Sequence, residues 1–574
     1  MRNNGKEAVR LCEHIVRQAF GDVICRVAST LLNRGRLPLS TISRLSALPK
    51  PTTSAALIVL IQHDLVQTNG ASYKNTGDDE QYEFDTSTCL LRLRWGRILA
   101  ITHQTYDEVA LEVVRTIMVY GKMKVPDIIN VCGGSSDAMR ADTVNNAIIA
   151  LVRAQFIRPT SSEMHILDSD QVQRRFNLHR LELIRNKGTS MLSALDIENC
   201  EAKAKHEIRE EKESLQDIRR ILVERPKIDK DLNNKKAKKR SKVNTILGNG
   251  TGGEEFDYEL KQDIHLRINY DRFGILIRNE LIVKAAEERW NRAAGIVMRA
   301  ILQASLKEYS KLAEERSGDF IGTNSIVPLI EEKEYPTLLA GLAISSRSTI
   351  PEVVRNYLNI LAGDDGSAGT APFLRKDNGT NPGYIVEIEI ICRKLRENLL
   401  YQLVREKLGD KAARVLAVVS KSSKAFETTV RDCAMLPLKD ARAHLANLQR
   451  LSLVETQEVP KTAAKSRMGL PSSAEYHLWA MDETRVYETL LTNVYKALGN
   501  ILQRKAKEIE DKRIVLAREN KAEELGSDRS MLSGKDQEDL MELDDYLKKL
   551  SLAEMRSEVV VFILRDLPGA PGSK

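Results

Sequence analysis

Cysteine pairs are missing from this chain. Its seven cysteines stand at 12, 25, 89, 132, 200, 392 and 433, and no two have the CxxC spacing of a zinc or redox site. Scattered thiols of this kind fit a reduced, intracellular protein. Aromatic residues make up only 5% of the chain. Long apolar runs are absent too, since Val559–Leu564 is far too short to cross a bilayer. No signal peptide is expected, because Arg2-Asn3-Asn4-Gly5-Lys6 leads into an amphipathic helix. Neither charge dominates: 87 basic and 80 acidic residues leave a net +7, which permits a nucleic-acid partner without indicating one. Enzyme constellations are also lacking. No Ser or Cys sits in a nucleophile elbow, and His206-Glu207 has no second histidine at zinc-protease spacing. Asp364-Asp365-Gly366 lacks the further acids of a calcium loop or a polymerase magnesium site. Gly248–Gly253 follows no strand and is closed by no Gly-Lys-Ser/Thr, so it is not a phosphate loop. The expectation is therefore no catalytic site, no metal and no cofactor.

What the chain does have is a repeat. Phe20–Val66 lies on Leu408–Val454 without a gap, at a constant offset of 388 residues. Gly21-Asp22 meets Gly409-Asp410, Arg26-Val27 meets Arg414-Val415, and Thr41 meets Thr429. Leu48-Pro49 meets Leu436-Pro437; Ala55, Leu57 and Leu60 meet Ala443, Leu445 and Leu448; Leu65-Val66 meets Leu453-Val454. One small module is built twice, near the two ends. Ile24, Val27 and Leu31 have helical spacing, and a second short helix follows near Thr41–Leu48, stopped by Pro49. A third helix shows Leu57, Leu60 and Ile61 on one face. Leu65-Val66-Gln67 and Gln81-Tyr82-Glu83-Phe84 then read as two strands. Three helices and a hairpin make a winged helix.

The residues Phe20-Gly21-Asp22, Leu31–Leu37 and Ala56–Val66 resemble the opening of one family, the largest subunit of the heterotrimer specific to RNA polymerase III, in its fungal form. Its tandem winged helices are of the TFIIE alpha type. Arg267–Phe273 followed by Arg278–Val283 resembles a second block of that family, and the similarity runs through nearly the whole chain. The resemblance implies a non-catalytic, nuclear subunit that packs on the polymerase clamp with two smaller partners. It implies a role in initiation and promoter opening for small-RNA genes such as tRNA and 5S rRNA. It also implies weak, non-specific contact with double- and single-stranded DNA, initiation factors as further partners, and no membrane.

The expected fold class is mainly α: four tandem, extended winged helices and a C-terminal helical hairpin or coiled coil. The modules are placed at residues 8–86, 90–185, 258–392 and 393–481. Residues 186–255 read as a charged, mostly disordered insertion, with a solvated helix over Glu207–Arg225. The second module has Val113, Ile117 and Tyr120 striping its first helix and Ile148, Leu151 and Val152 striping its third. In the third module a strand over His265–Ile277 is expected to feed one helix over Asn279–Glu315. A capped helix starts at Thr349-Ile350-Pro351, and Val386–Ile390 reads as a half-buried strand. Residues 482–574 carry a sparse stripe through Tyr487, Leu491, Val494, Leu498 and Ile501, resumed at Leu540, Leu543, Leu547 and Leu550. Val559–Leu564 reads as a closing strand and Pro568–Lys574 as a free tail.

Two sets of candidate contact residues stand out. Lys461, Lys465 and Arg467 lie in the fourth module's wing loop, with no acid between Val459 and Ala474. They suit either a sequence-independent phosphate contact or an acidic patch on the polymerase. Lys235, Lys236, Lys238, Lys239, Arg240 and Lys242 form a basic run. It reads as a nuclear-import signal, a phosphate contact or a solvated linker cluster. His63 and His444, on third helices among apolar neighbours, read as packed histidines rather than ligands. Two other functions share this composition: a winged-helix DNA-binding transcription factor, and a helical and winged-helix scaffold subunit of another complex. The third helices are not basic, which disfavours the first. A winged helix that opens the chain and recurs disfavours the second.

Overall fold

The computed structural model describes residues 5–70, 80–133, 138–187, 193–214, 222–225, 257–306, 311–342, 349–363, 372–377, 383–460, 475–524 and 532–569. The chain forms two compact units, Phe20–Phe273 and Met1–Ala19 together with Gly274–Lys574. Helix α1 (Lys6–Phe20) thus belongs, up to Ala19, with the C-terminal half rather than with the first module, where residues 8–19 were expected. Its His14 reaches Gln503 at 2.6 Å, far along the sequence.

The first module runs α2 (Asp22–Arg34), β1 (Leu37–Pro38), α3 (Leu39–Ser46), α4 (Lys50–Gln62), β2 (Val66–Thr68) and β3 (Gln81–Phe84). After α5 (Thr86–Leu91) and α6 (Trp95–Thr105) comes the second: α7 (Glu108–Tyr120), β4 (Met123–Lys124), α8 (Val125–Gly133), α9 (Ala138–Arg153) and β5 (Ile157–Pro159). Helices α10 (Asp168–Lys187) and α11 (Ala194–Ser214) pack on each other, and β6 (Leu222–Arg225) pairs with β7 (Asp257–Leu260). Strand β8 (His265–Ile268) then completes the second module's sheet. The third module contains α12 (Tyr270–Arg289), α13 (Arg292–Ala304), β9 (Ile321–Gly322), α14 (Thr323–Ile326), α15 (Tyr335–Ala340), α16 (Ile350–Leu361), β10 (Leu374–Lys376) and β11 (Gly383–Val386). Helix α17 (Ile388–Leu408) leads into the fourth: α18 (Asp410–Lys421), β12 (Ala425–Phe426), α19 (Glu427–Ala434), α20 (Leu438–Arg450), β13 (Glu455–Pro460) and β14 (Glu475–Ala480). Helices α21 (Glu483–Asp511), α22 (Arg513–Glu524) and α23 (Gly534–Val561) follow.

All four modules share one wiring. Each has a three-stranded sheet in which the last strand sits between the other two: β1-β3-β2, β4-β8-β5, β9-β11-β10 and β12-β14-β13. Each third helix also ends in the same way. Asp64, Gln155, Gly363 and Ser452 take φ of 58°, 62°, 83° and 57°, and each donates its N–H to the carbonyl three residues back. That left-handed cap stops the helix and turns the chain into the wing. At the offset of 388, α3 and α19 coincide end to end, as do α4 and α20. The repeat is therefore one of backbone as well as sequence.

Several expectations are corrected. The strand at His265 ends at Ile268 and belongs to the second module, because its register pairs it with β4 and β5. The single helix expected over 279–315 is two. Asn291 breaks it, its side chain accepting from the Ala294 N–H at 2.8 Å as the N-cap of α13. Thr349 and Glu352 make the anticipated cap of α16 as a full capping box. The Val386–Ile390 strand stops at Val386, since Ile388, Ile391 and Cys392 are buried at helical spacing in α17. Tyr120 is exposed rather than part of the α7 stripe. In α21 the buried set is Val486, Tyr487, Leu490, Tyr495, Leu498 and Leu502, so Leu491, Val494 and Ile501 flank the seam. Val559–Leu564 is helical: α23 passes through Val561 into a π-helical turn, Phe562–Asp566. Leu564 lies in the fourth module's core, where burial outweighs the β propensity of a Val-rich run. The tail is not free at its start, because Pro568 is buried and its carbonyl accepts from Arg396 at 3.0 Å. Within 186–255, α11 is ordered and buries Cys200, Ala204 and Ile208. Leu222–Arg225, expected as helix, is strand. Six cysteines are buried, and Cys433 is exposed.

Candidate nucleic-acid interface

The family-like block Arg267–Phe273 turns out to be the seam of the first unit. Arg267 Nη1 donates to Asp64 Oδ2 at 3.3 Å. Asn269 donates its amide to the Gln155 carbonyl at 2.8 Å, and its backbone N–H donates to the Phe156 carbonyl. The Tyr270 hydroxyl accepts from the Trp95 indole at 3.3 Å. Asp271 faces Arg158 at 3.6 Å, and the Phe273 ring lies 4.7 Å from Phe156.

Asp64 is the hub of this seam. It also binds Lys122 of the second module, whose ammonium donates to the Ile61 carbonyl at 2.9 Å and sits 3.2 Å from His165. Burial pushes the Asp64 carboxyl up, but Arg267 and Lys122 together hold it below its ordinary value. Lys122 moves down, because burial outweighs the pull of Asp64. The gain in this pair therefore resides on the carboxylate. Gly121 (φ 82°) allows the approach, since a Cβ there would meet the Gln62 carbonyl at 2.6 Å. His63 packs at 4.7 Å on the Phe20 ring. Burial first, then Arg92 and Lys122, hold it down to about 4, so it is neutral at pH 7. These groups are committed to joining two modules.

Of the residues singled out from sequence, Lys461, Lys465 and Arg467, the run Lys235–Lys242 and Asp364-Asp365-Gly366 lie outside the described residues. The structure fixes where the wing loop starts: Pro460 is paired with Glu475 at the end of the β13–β14 hairpin. It also reveals what sequence reading missed, namely which cations of the fourth module are spent. Asp410, Glu427, Asp432 and Asp440 are each paired, with Arg405 (2.8 Å), Arg442 (2.8 Å), Arg431 (2.7 Å) and Lys411 (3.9 Å). Glu455 is paired with Arg485, and Glu458 stands 3.7 Å from His477. Arg414, Lys421, Lys424, Lys439 and Arg450 are exposed and have no carboxylate partner among the described residues. Glu427, Asp432 and Asp440 are thus matched by cations of the same module, while these five cations have no such partner among the described residues.

Two of those five stand on α20. Lys439, Ala443, Ala446 and Arg450 are exposed at spacings of four, three and four, which places them on one stripe. Gln449 donates to Thr456 at 3.2 Å and ties the Arg450 end to the base of the wing. The matching face of α4 is Pro51, Ala55, Ile58 and Gln62, without charge and with Ile58 63% exposed. Gln62 there is spent on the Lys122 carbonyl. Among the described residues, no three His, Cys, Asp or Glu side chains converge as a metal site.

Known proteins match along the whole chain. Residues 10–68 match the helix-turn-helix domain of RNA polymerase III subunit RPC82, residues 146–343 match the RNA polymerase III subunit RPC82 family, and residues 400–481 match the C-terminal winged-helix domain of POLR3C. The RNA polymerase III subunit rpc3 of Botryotinia fuckeliana is 22% identical, covering 98% of this chain and 100% of the relative. The human subunit RPC3 is also 22% identical, with 97% of each covered. That of Emericella nidulans is 24% identical over 87% of this chain and 89% of the relative. Similarity is thus as high to an animal subunit as to a fungal one. With these matches in agreement and in chain order, the chain is similar over nearly its whole length to RNA polymerase III subunits of the RPC82/RPC3 kind.

Proposed function

We propose that the chain is a non-catalytic nuclear subunit that docks on the clamp of RNA polymerase III with two smaller partners. There it supports promoter-directed initiation and DNA opening at small-RNA genes. The observation that carries the docking role is the contrast between third-helix faces. The α4 face, with exposed Ile58 and no charge, suits a protein surface rather than phosphates. The fourth module supplies the DNA contact, through Lys461, Lys465 and Arg467 of the wing loop. A charged loop needs no fixed geometry to meet phosphates. The basic run Lys235–Lys242 is the proposed import signal. Purification of the tagged chain at its natural level tests the docking role. Recovery of the polymerase core with two smaller subunits is the expected result. Recovery with an unrelated complex, or with none, overturns it. Magnesium-dependent nucleotide turnover by the pure chain would overturn the non-catalytic part.

A further inference from the structure

We infer that the exposed stripe of α20 is itself a duplex-DNA contact, bridging two phosphate rails, and that the corresponding stripe of α4 is not. The inference rests on the reading of the fourth module as the DNA-contacting one. Lys439 and Arg450 are eleven residues apart, about 16 Å along a helix at 1.5 Å per residue, and after three turns they point the same way. A B-form major groove is about 12 Å wide, so the two side chains reach the two backbones that border it. Between them the stripe presents Ala443 and Ala446, which let the helix axis approach closely. Arg442 is turned aside to Glu427 at 2.8 Å. No long polar side chain is left in the middle of the stripe to read base edges. The contact is therefore to sugar-phosphate and independent of sequence. Glu427 and Asp440 are each paired with a cation, and the tie between Gln449 and Thr456 holds the Arg450 end of the stripe against the base of the β13–β14 hairpin.

The test is binding of a random-sequence duplex to the full chain across a salt series. Lys439→Gln/Arg450→Gln is compared with the wild type, with Ile58→Ala, and with the charge-preserving exchange Lys439→Arg/Arg450→Lys. The double glutamine variant is expected to bind more weakly, with a log–log salt slope shallower by about 2, close to 0.9 per lost phosphate contact. The charge-preserving exchange restores the slope, and Ile58→Ala leaves it unchanged. An unchanged slope in the double glutamine variant overturns the inference. If that variant keeps its slope but no longer co-purifies with the polymerase, the stripe is a protein-docking face and the inference is wrong. Failure of the wild type to co-purify with polymerase at all would overturn the docking proposal and leave the slope measurement standing.

Discussion

Replacing Asp64 with asparagine removes one negative charge from the joint between the first two modules and little else. Asparagine tolerates the left-handed φ of 58° that this position requires, so the backbone is not strained. What remains is Lys122, with a side chain only 6% exposed, and Arg267 at 19%, both facing an amide in place of a carboxylate. Breaking a buried pair from one side costs about 3–5 kcal/mol, because the stranded charge stays desolvated. Asp64 is itself 25% exposed, so the lower end, about 3 kcal/mol, applies here. For a unit of this size each kcal/mol moves the midpoint by roughly 2–4 °C, giving a fall of about 6–12 °C in the melting of Phe20–Phe273. Calorimetry of the full chain reads this directly. Lys122→Met in the Asp64→Asn background should recover part of the loss, since it removes the stranded cation. The pH dependence has a definite sign. The folded carboxyl lies below its ordinary value near 3.8, so its contribution is complete above that value and disappears as pH falls through the folded one. The two proteins should therefore begin to converge as pH falls below 3.8 and meet only once it has passed the folded value. A loss under about 0.5 kcal/mol, or strict additivity of the two substitutions, would refute the hub role of Asp64.

His63 supplies a second pH effect, at a different place on the scale. Its folded value, about 4, lies below the ordinary 6.5, so stability is full above 6.5 and declines as pH falls from there toward 4. His63→Phe keeps a ring against Phe20 and should flatten urea-midpoint curves between pH 7 and pH 4; an unchanged slope would mean that His63 is not the titrating group. Gly121→Ala should cost clearly more than Gly35→Ala. Both positions have positive φ, but only at Gly121 would the new methyl strike a carbonyl, that of Gln62. Gly35→Ala should cost on the order of 1 kcal/mol, and equal costs in chemical denaturation would remove the steric part of the explanation.

The repeat was legible because its identities fall where physics leaves little choice. Gly21 and Gly409 take φ of 84° and 85°, and Val27, Leu57, Leu60, Leu65 and Val66 fill one core as their counterparts fill another. The second module's closing strand was not legible, because nothing local to His265–Ile268 says that its partners lie before residue 160. The helical end at Val559–Leu564 was missed for the opposite reason. Its local signal was strong and pointed to a strand, but the surrounding core favoured a helix. For the candidate interface, sequence showed where the lysines and arginines are. Only geometry separates Arg442, held by Glu427, from Lys439 and Arg450, which are free to meet a partner.

The strand β8 has a consequence for the order of events during synthesis. Residues 160–264 lie between it and β5, beside which it must pair. At about 5–20 residues per second, roughly 5–20 s pass on the ribosome between the appearance of β5 and that of β8. The first module, contiguous from Asp22 to Phe84, can close its sheet in that interval. The second must wait as an incomplete layer with Ile157 and Phe156 unsheltered, and it is there, in the nascent chain, that a chaperone would find this protein.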